Sequence, residues 1–404
     1  MSTSLLYHGF GIRGYEYIRT TYESGKVKFW IDEDRSRLRC AACSSRSVLG
    51  RGKVLREFKC IPIGAKQVSI MLSVRRLECR DCGAIRQVRI RFADERRRYT
   101  KAFERYALAL SRHMTIKDIA MHLGVCWDVI KEIQKRYLHK RFGRPSLRNL
   151  RRIAIDEICI GRGRRFLTVV LNLETGAVVF VGDGRGADSL RPFWSRLKRC
   201  RAAIEAVATD MLPAYIKAVR TNLPEATLVF DRFHIVKLFN EKLTDLRRDL
   251  YHEITDKLHK DVIKGTRWLL LKNPENLDDD KNERQRLDEA LRINSPLATA
   301  YYMKEEIRRL WDFLDRETAA IFLQDWMNRA LASGIKMLYK FAKTLSKHRH
   351  GILAYFDYPI STGPLEGTNT KIKLLQRQAY GFRDQDFLKL KIMGLHETKY
   401  ALVG

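Results

Sequence analysis

The alternation of apolar and polar residues divides the first third of the chain into two stretches of different type. Between residues 25 and 91, short runs such as 68–74 have the composition of strands separated by turns, which predicts a small β-rich module. From residue 96 to about residue 141, apolar residues recur at helical spacing around a glycine break. This second stretch is therefore predicted to form short helices.

Strand and helix patterns alternate after Arg144-Pro145-Ser146, in the order β-β-β-α-β-α-β. A mixed α/β sheet is the simplest fold for that order. Two glycine-rich segments, 161–163 and 182–186, lack a nucleotide-binding fingerprint and are interpreted as hairpin turns. The predicted strands are 153–160, 166–173, 177–181, 204–209 and 227–230, with helices near 189–198 and 213–220.

The rest of the chain has a helical pattern. From about residue 235 to residue 358 the sequence is charged and helical, without a strand signal. After Gly363-Pro364 another helix is predicted over 365–379, and Gly381 supplies its stop.

The charge of the chain points to a polyanionic partner. Seventy-seven Lys and Arg against 47 Asp and Glu leave a net charge of +30, far more than solubility requires. Residues 1–145 alone contain 32 basic and 14 acidic residues. Nucleic acid is the first candidate partner, and the concentration of charge predicts a dedicated binding region near the N-terminus.

The chain is expected to stay in the cytoplasm. No apolar run reaches the roughly 18 residues of a membrane span, and residues 1–14 lack the features of a signal peptide. Disulfides are uncommon in that compartment, so closely spaced cysteines are better interpreted as metal ligands.

Two C-x-x-C pairs, Cys40-Ala-Ala-Cys43 and Cys79-Arg-Asp-Cys82, could together supply four thiolates to one zinc ion. The 35 residues between the pairs have strand patterns, and a hairpin could bring the pairs together. The alternative is two unrelated pairs in a basic segment. The other cysteines are each expected to be small buried residues: Cys60, Cys126, Cys159 and Cys200.

A helix-turn-helix is predicted from Ile116 onward, with Ala120 at the helix crossing and Gly124 opening the turn. Ile130 and Ile133 would hold the second helix against the first. An ordinary helical hairpin is the alternative. The predicted outward positions of the second helix are Trp127, Asp128, Lys131, Gln134 and Lys135. The residues predicted to contact DNA are Trp127, Lys131, Gln134 and Lys135, the preceding cluster Arg96, Arg97 and Arg98, and Arg377 on the late helix.

Two carboxylates stand at unusual places on predicted strands. Asp156 interrupts an apolar strand, where a charge is costly unless it is paired or binds a metal. Strand alternation sends Glu157 to the opposite face. Asp210 ends a second strand. Taken singly, each acid could also be a solvated strand end or a partner of an arginine.

A third carboxylate, Glu366, opens the late helix. Helical spacing places Asn369, Thr370, Lys373 and Arg377 near its face. Acids on two strands and a helix could hold two Mg²⁺ ions about 3.5–4 Å apart, with Mn²⁺ as a substitute, one activating an attacking hydroxyl and the other stabilising a leaving oxygen. Phosphodiester chemistry suits this arrangement and the basic surroundings.

The order of these elements, together with a set of short motifs, resembles the DDE transposases of bacterial insertion sequences, specifically the family named for the ISL-three element. The motifs are Cys40-x-x-Cys43, Arg75-Arg76-x-x-Cys79-x-x-Cys82-Gly83, Ile116-x-x-Ile119-Ala120, Ala154-Ile-Asp156-Glu157, Thr209-Asp210-Met211, Val229-Phe-Asp231-Arg-Phe-His234, Leu365-Glu366-Gly-x-Asn369-x-x-Ile372-Lys373 and Ala379-Tyr-Gly-Phe382.

The resemblance implies a ribonuclease-H-like fold whose sheet carries Asp156 and Asp210, with Glu366 delivered after a long helical insertion. Asp231 and His234 resemble the Asp-x-x-His signature of transposases with such insertions, where they support the site or its DNA. A helix N-cap and a core histidine are the alternative for this pair.

Together these features predict a multidomain α/β protein that binds double-stranded DNA, both the terminal inverted repeats and the target, and catalyses cleavage and strand transfer. A homodimer acting in the cytoplasm at the nucleoid is expected from the family. A regulator without chemistry and a structure-specific nuclease are the competing hypotheses. The predicted segments are a zinc-binding module (1–90), a helix-turn-helix domain (91–145), the first part of the catalytic domain (146–236), a helical insertion (237–360) and the second part of the catalytic domain (361–404).

Overall fold

The computed structural model describes residues 5–161 and 165–396. The chain forms two compact units, one of Met1–Arg144 with Leu374–Gly404 and the other of Pro145–Lys373. None of the described helices is long and apolar enough to cross a membrane.

The N-terminal sheet of the first unit is built around a long hairpin. Its strand order is β1-β2-β4-β3, with β5 also paired to β4. β2 and β4 run parallel, and the other pairs run antiparallel. Phe58 and Ile70 face each other in the hairpin and are fully buried. The elements are α1 (Leu5–His8), β1 (Tyr15–Glu23), β2 (Lys26–Glu33), β3 (Val48–Ile63), β4 (Lys66–Cys79) and β5 (Ile85–Gln87).

Three helices follow in the first unit, α2 (Lys101–Leu110), α3 (Ile116–Leu123) and α4 (Trp127–Phe142). The Thr115 side chain caps α3 by accepting a hydrogen bond from the backbone N–H of Asp118. Gly124 ends α3 with a left-handed φ of 59°, a conformation that glycine adopts without strain. The predicted turn therefore has its glycine where the geometry requires one.

The second unit contains a five-stranded sheet in the order β10-β9-β6-β7-β8. β7 runs antiparallel to both of its neighbours, whereas β6, β9 and β10 run parallel to one another. The predicted order of strands and helices is confirmed. The elements are β6 (Arg152–Cys159), β7 (Phe166–Asn172), β8 (Val178–Asp183), α5 (Arg191–Cys200), β9 (Ala206–Thr209), α6 (Pro213–Asn222) and β10 (Thr227–Phe230).

The two glycine-rich segments have different outcomes. Residues 162–164 lie outside the described residues, and with them most of the turn predicted at 161–163. The hairpin predicted at 182–186 is wrong, because β8 leads into a short 3₁₀ helix, Ala187–Leu190. A Cβ atom at Gly182 would lie 2.3 Å from the carbonyl oxygen of Ser189. Gly182 is needed because the 3₁₀ helix packs closely against the end of β8. A glycine-rich sequence does not distinguish this close packing from a hairpin turn.

A long helical region follows β10 and shares its core with the sheet. Phe239, Trp326 and Phe341 pack edge to face in this core, and the Trp326 indole donates a hydrogen bond to the carbonyl oxygen of Met303. The helices are α7 (Arg232–Glu253), α8 (Lys257–Gly265), α9 (Arg267–Leu271), α10 (Glu283–Ile293), α11 (Ser295–Arg308), α12 (Arg316–Ala332), α13 (Lys336–Leu353) and α14 (Gly363–Gln378). The last helix, α15 (Gln385–Met393), packs against α4 in the first unit.

We expect Gly351→Ala to destabilise the protein by roughly 1–3 kcal/mol, although alanine favours a helix. Gly351 lies in α13 where a Cβ atom would be 2.5 Å from two ring carbons of Phe230 on β10. The matched control is Gly367→Ala in α14, where a Cβ atom meets nothing within 4 Å. That change should stabilise the protein by about 0.5–1 kcal/mol. Urea unfolding measures both, and the same sign for the two variants would contradict this account of the packing.

Candidate active site

Asp156 lies on β6, and Asp210 directly follows the neighbouring parallel strand β9, at an equivalent height. Ala154 on β6 pairs with Ala208 on β9, and each aspartate comes two residues later. The Asp210 carboxylate accepts a hydrogen bond from the backbone N–H of Leu212. The sheet therefore presents both acids at the same edge, where the carboxyl ends of its parallel strands meet.

α14 carries Glu366 in its first turn. Asn369, three residues later on the same helix, contacts Asp156 on β6. The side-chain amide of Asn369 donates a hydrogen bond of 2.9 Å to Oδ2 of Asp156. Residues three apart on a helix share a face. This one hydrogen bond therefore ties the helix of Glu366 to the strand of Asp156.

Burial raises the pKa of two of these acids, Asp156 and Glu366. Burial, reinforced by the negative charge of Asp210, raises the pKa of Asp156 to about 6, although the N–H of Glu157 and His234 oppose this. Burial also raises the pKa of Glu366, and His234 again opposes it. His234 is thus the basic group that acts on both acids.

Asp231 joins the beginnings of two helices. Its carboxylate caps α7 by accepting a hydrogen bond of 2.8 Å from the N–H of Phe233. The other carboxylate oxygen accepts hydrogen bonds from both the N–H and the hydroxyl of Thr362. The Thr362 carbonyl in turn accepts the N–H of Glu366 at 2.9 Å. Asp231 is a helix N-cap, as the alternative interpretation held, and it also anchors the start of the helix that carries Glu366.

Three buried polar atoms belong to residues that adjoin or interact with these acids, and they have no hydrogen-bond partner within the described part of the chain. They are Oγ1 of Thr209, Nε2 of His234 and Oδ1 of Asn369. Buried polar atoms are normally paired, so such atoms call for a ligand. Carboxylate and amide oxygens are the ligands that Mg²⁺ and Mn²⁺ prefer, and Asp156, Glu366 and Asn369 are donors of these kinds.

Glu157 belongs to a different environment from Asp156. Its carboxylate accepts a hydrogen bond of 3.0 Å from the hydroxyl of Tyr215 on α6. That hydroxyl also lies 3.1 Å from the hydroxyl of Thr168 on β7. These contacts hold α6 and the sheet together, which gives Glu157 a packing role.

The β3–β4 hairpin brings the two C-x-x-C pairs into one cluster. Cys79 ends β4 opposite Val48, the first residue of β3. The sulfur atoms of Cys40 and Cys82 lie 3.7 Å apart, and those of Cys43 and Cys79 lie 3.5 Å apart. A tetrahedral zinc ion with bonds of about 2.3 Å places its sulfurs roughly 3.8 Å apart. The cluster is therefore compatible with zinc and argues against two unrelated pairs.

The four cysteines form the tightest group of metal-binding side chains in the described part of the chain. Their sulfurs all lie within 4.8 Å of one another, and among the described residues no other set of three or more Cys, His, Asp or Glu is so close. The three carboxylates are thus more widely spaced than the thiols. Backbone N–H groups of Cys43 and Ala42 lower the pKa of Cys40 to about 6, which favours the thiolate.

The remaining cysteines correct the sequence prediction. Cys60 is buried as expected, but Cys126 and Cys159 are exposed and Cys200 is half-buried. Cys126 stands at the N-cap of α4, and Cys159 ends β6. Both are at the end of an element, where the core no longer covers them.

The helix-turn-helix also requires a correction. Gln134 is buried and donates a hydrogen bond of 2.8 Å to the hydroxyl of Ser111, so its predicted outward position is wrong. It shares the buried side of α4 with Ile130 and Ile133, the residues that precede it by one helical turn or less. Trp127 is 47% exposed, as predicted.

Lys131 and Lys135 both form ion pairs with Asp384 in the first unit. Their ammonium groups lie 3.0 Å and 2.9 Å from the carboxylate of Asp384. Burial opposes ionisation of Asp384, but the N–H of Phe387 and the two lysines lower its pKa to about 2. Lys131 and Lys135 are therefore partly neutralised in this structure.

The other predicted DNA contacts have varied exposure. Arg96 and Arg98 are exposed, whereas Arg97 is half-buried. Arg377, the remaining predicted DNA contact, is exposed on α14, and so is Lys373 on the same helix.

Comparison with known proteins identifies relatives along most of the chain. A family model described as "Transposase", of the DDE type in family ISL3, matches residues 153–392. A second, described as "Helix-turn-helix domain of transposase family ISL3", matches residues 88–138. The chain is 33% identical over 356 residues to the transposase for insertion sequence element IS1001 of Bordetella parapertussis, covering 87% of each.

Two further relatives are more distant. The transposase for insertion sequence element IS1557 of Mycobacterium tuberculosis is 28% identical over 396 residues, covering 91% of this chain and 87% of that protein. The Drosophila P element transposase in its strand transfer complex aligns with 74% of this chain and 92% of its own at 9% identity and a TM-score of 0.38. A likeness at that level carries no argument about fold or function.

The raised pKa of Asp156 predicts a pH-dependent cost in the metal-free protein. A carboxyl whose pKa is about 6 when folded and about 3.8 when unfolded destabilises the fold increasingly as the pH rises from 4 to 6, and constantly above that. The free energy of unfolding of Asp156→Asn, relative to that of wild type, should therefore increase by about 1–3 kcal/mol between pH 4.5 and pH 7.5. Urea unfolding in the presence of chelator measures it. Asp261→Asn, which changes an exposed acid, is the control and should gain nothing comparable. A constant difference between Asp156→Asn and wild type at both pH values would contradict the prediction.

Proposed function

Because this chain belongs to the transposase family ISL3, we propose that it binds the terminal inverted repeats of its insertion sequence and catalyses DNA cleavage and strand transfer. Asp156, Asp210 and Glu366 are the proposed catalytic acids. The observation that carries this assignment is the hydrogen bond from Asn369 to Asp156, since it brings the helix of Glu366 to the strand edge of the two aspartates.

Each acid has a defined task in this proposal. Their anionic oxygens would hold two Mg²⁺ ions, which when bound activate the attacking hydroxyl and stabilise the leaving oxygen. Asn369 orients Asp156 through its amide N–H and offers its free oxygen to the same site. Asp231 fixes the start of α14, and His234 balances the negative charge of Asp156 and Glu366. Lys373 is exposed on α14 and would contact a DNA phosphate.

A ribonuclease-H-like catalytic domain is part of the proposal. A five-stranded mixed sheet whose second strand alone runs antiparallel to the others supports that description. The domain would comprise 146–236 and 361–404, interrupted by the helical insertion 237–360. Residues 1–90 and 91–145 would form the zinc-binding module and the helix-turn-helix domain.

We expect Asp210→Asn and Glu366→Gln each to abolish cleavage and strand transfer, by at least a factor of about 10³, while binding of the DNA ends is retained. An amide cannot supply the anionic oxygen that a metal ion requires, whereas affinity for DNA comes from Lys and Arg. The substrate is labelled duplex DNA carrying the inverted repeats that flank the gene, assayed with Mg²⁺ for nicked and joined products.

Glu157→Gln is the matched control, because Glu157 adjoins Asp156 but bonds to Tyr215, and glutamine can still accept that hydrogen bond. It should retain most of the activity. Strand transfer by either of the two variants at the wild-type rate would refute the site. A wild-type protein that nicks without joining would be a nuclease, and one that binds without cleavage would be a regulator.

We also propose that Cys40, Cys43, Cys79 and Cys82 bind one structural zinc ion. Metal analysis of the full chain should find about one zinc per molecule, and Cys79→Ser should lose the ion and lower the unfolding midpoint. Cys126→Ser, which changes an exposed cysteine outside the cluster at the N-cap of α4, should keep the zinc and should not lower the midpoint, because serine is a favourable cap. Equal zinc content in the wild type and Cys79→Ser would exclude this site.

A further inference from the structure

A large basic cleft lies in the first unit between the first cysteine knuckle, β5 and the segment that leads into α2. Its volume is about 1,060 Å³. Two acids also line it, Asp94 and Glu95. The basic residues that line it are Arg56, Arg76, Arg86, Arg89, Arg96 and Lys101.

Most of this positive charge is left uncompensated. Arg76, Arg86, Arg89 and Arg96 are exposed, and in the described part of the chain none of them forms an ion pair. Lys101, by contrast, lies 3.6 Å from the carboxylate of Asp94. Like charges that converge without partners repel one another, and a bound polyanion would relieve that repulsion.

The cleft has a firm framework. Arg76 on β4 pairs in register with Gln87 on β5, which fixes two of its walls. The Arg56 guanidinium donates a hydrogen bond of 3.1 Å to the carbonyl oxygen of Arg97 and thereby ties the third wall to β3. Arg96 has a left-handed φ of 61°, an uncommon conformation for a residue with a side chain.

The basic residues of α4 differ from those of the cleft in their ion pairs. Lys131 and Lys135 share the single negative charge of Asp384 and are partly neutralised by it, whereas the cleft arginines form no ion pair in the described part of the chain. Arginine guanidinium groups bind phosphate oxygens in pairs of hydrogen bonds. We propose that this cleft binds the sugar-phosphate backbone of duplex DNA without regard to sequence, beside the helix-turn-helix; this rests on the proposed function.

The test measures how the affinity of the full chain for a fluorescein-labelled random-sequence duplex of about 30 base pairs depends on salt, with chelator present. Each phosphate contact contributes about 0.9 to the slope of log K against log salt. The double variant Arg86→Ala/Arg89→Ala should lower that slope by about 2 and weaken binding on the order of tenfold or more near 0.1 M salt. Arg86→Lys/Arg89→Lys keeps the charge and should stay close to the wild-type slope.

Arg19→Ala is the control, because Arg19 is exposed on β1 and does not line the cleft. It should leave the slope within about 1 of wild type. Zinc content and the unfolding midpoint establish that each variant is folded.

An unchanged slope in a folded Arg86→Ala/Arg89→Ala protein would overturn the cleft assignment, as would a loss confined to single-stranded DNA. Failure of the wild type itself to bind any duplex would instead count against the proposed transposase function. Binding with chelator is independent of the catalytic acids, so the two failures are distinguishable.

Discussion

A buried carboxylate, that of Asp231, determines where the first turn of α14, which carries Glu366, can lie. Asp231 is 2% exposed and bonds to Thr362, 131 residues later in the chain. A charge in such a place is costly unless several donors surround it, and Asp231 has the N–H of Phe233 with the N–H and hydroxyl of Thr362. It also stands at the start of α7 and close to the start of α14, where helix dipoles favour a negative charge. The long helical region is thus closed into a loop whose two ends meet at one side chain.

This closure explains how more than one hundred residues can separate Asp231 from the helix of Glu366 while both ends stay beside the sheet. Loop-closure entropy grows only slowly with length, so the helical region adds little to the cost of bringing Glu366 to the strands. The region also has its own packing, centred on Trp326 and Phe239, and shares a continuous core with the sheet. Its stability therefore does not depend on the site, while the site depends on Thr362 being held.

Different parts of the structure were predictable to different degrees. The strands of the second sheet are short and largely buried, and their apolar runs gave the correct order of elements. β1 was missed, because its residues are mostly exposed and it is stabilised by pairing with β2 rather than by a buried face. Asp156 was identified because a charge within an apolar strand is conspicuous. Its bond to Asn369 joins residues 213 apart, and only the spacing of Asn369 from Glu366 hinted at it.

The amount of positive charge could be predicted from the sequence, but the positions of the unpaired basic side chains could not. The sequence shows that the N-terminal third is strongly basic, yet which lysines and arginines face a partner depends on contacts made after folding. Lys131 and Lys135 are basic and lie on the second helix of the predicted helix-turn-helix. Asp384, some 250 residues later, forms ion pairs with both. The cleft arginines come from β3, β4, β5 and the segment before α2, and no local pattern links them. Electrostatic attraction depends on where uncompensated charge accumulates, so tertiary structure decides which basic residues can bind a polyanion.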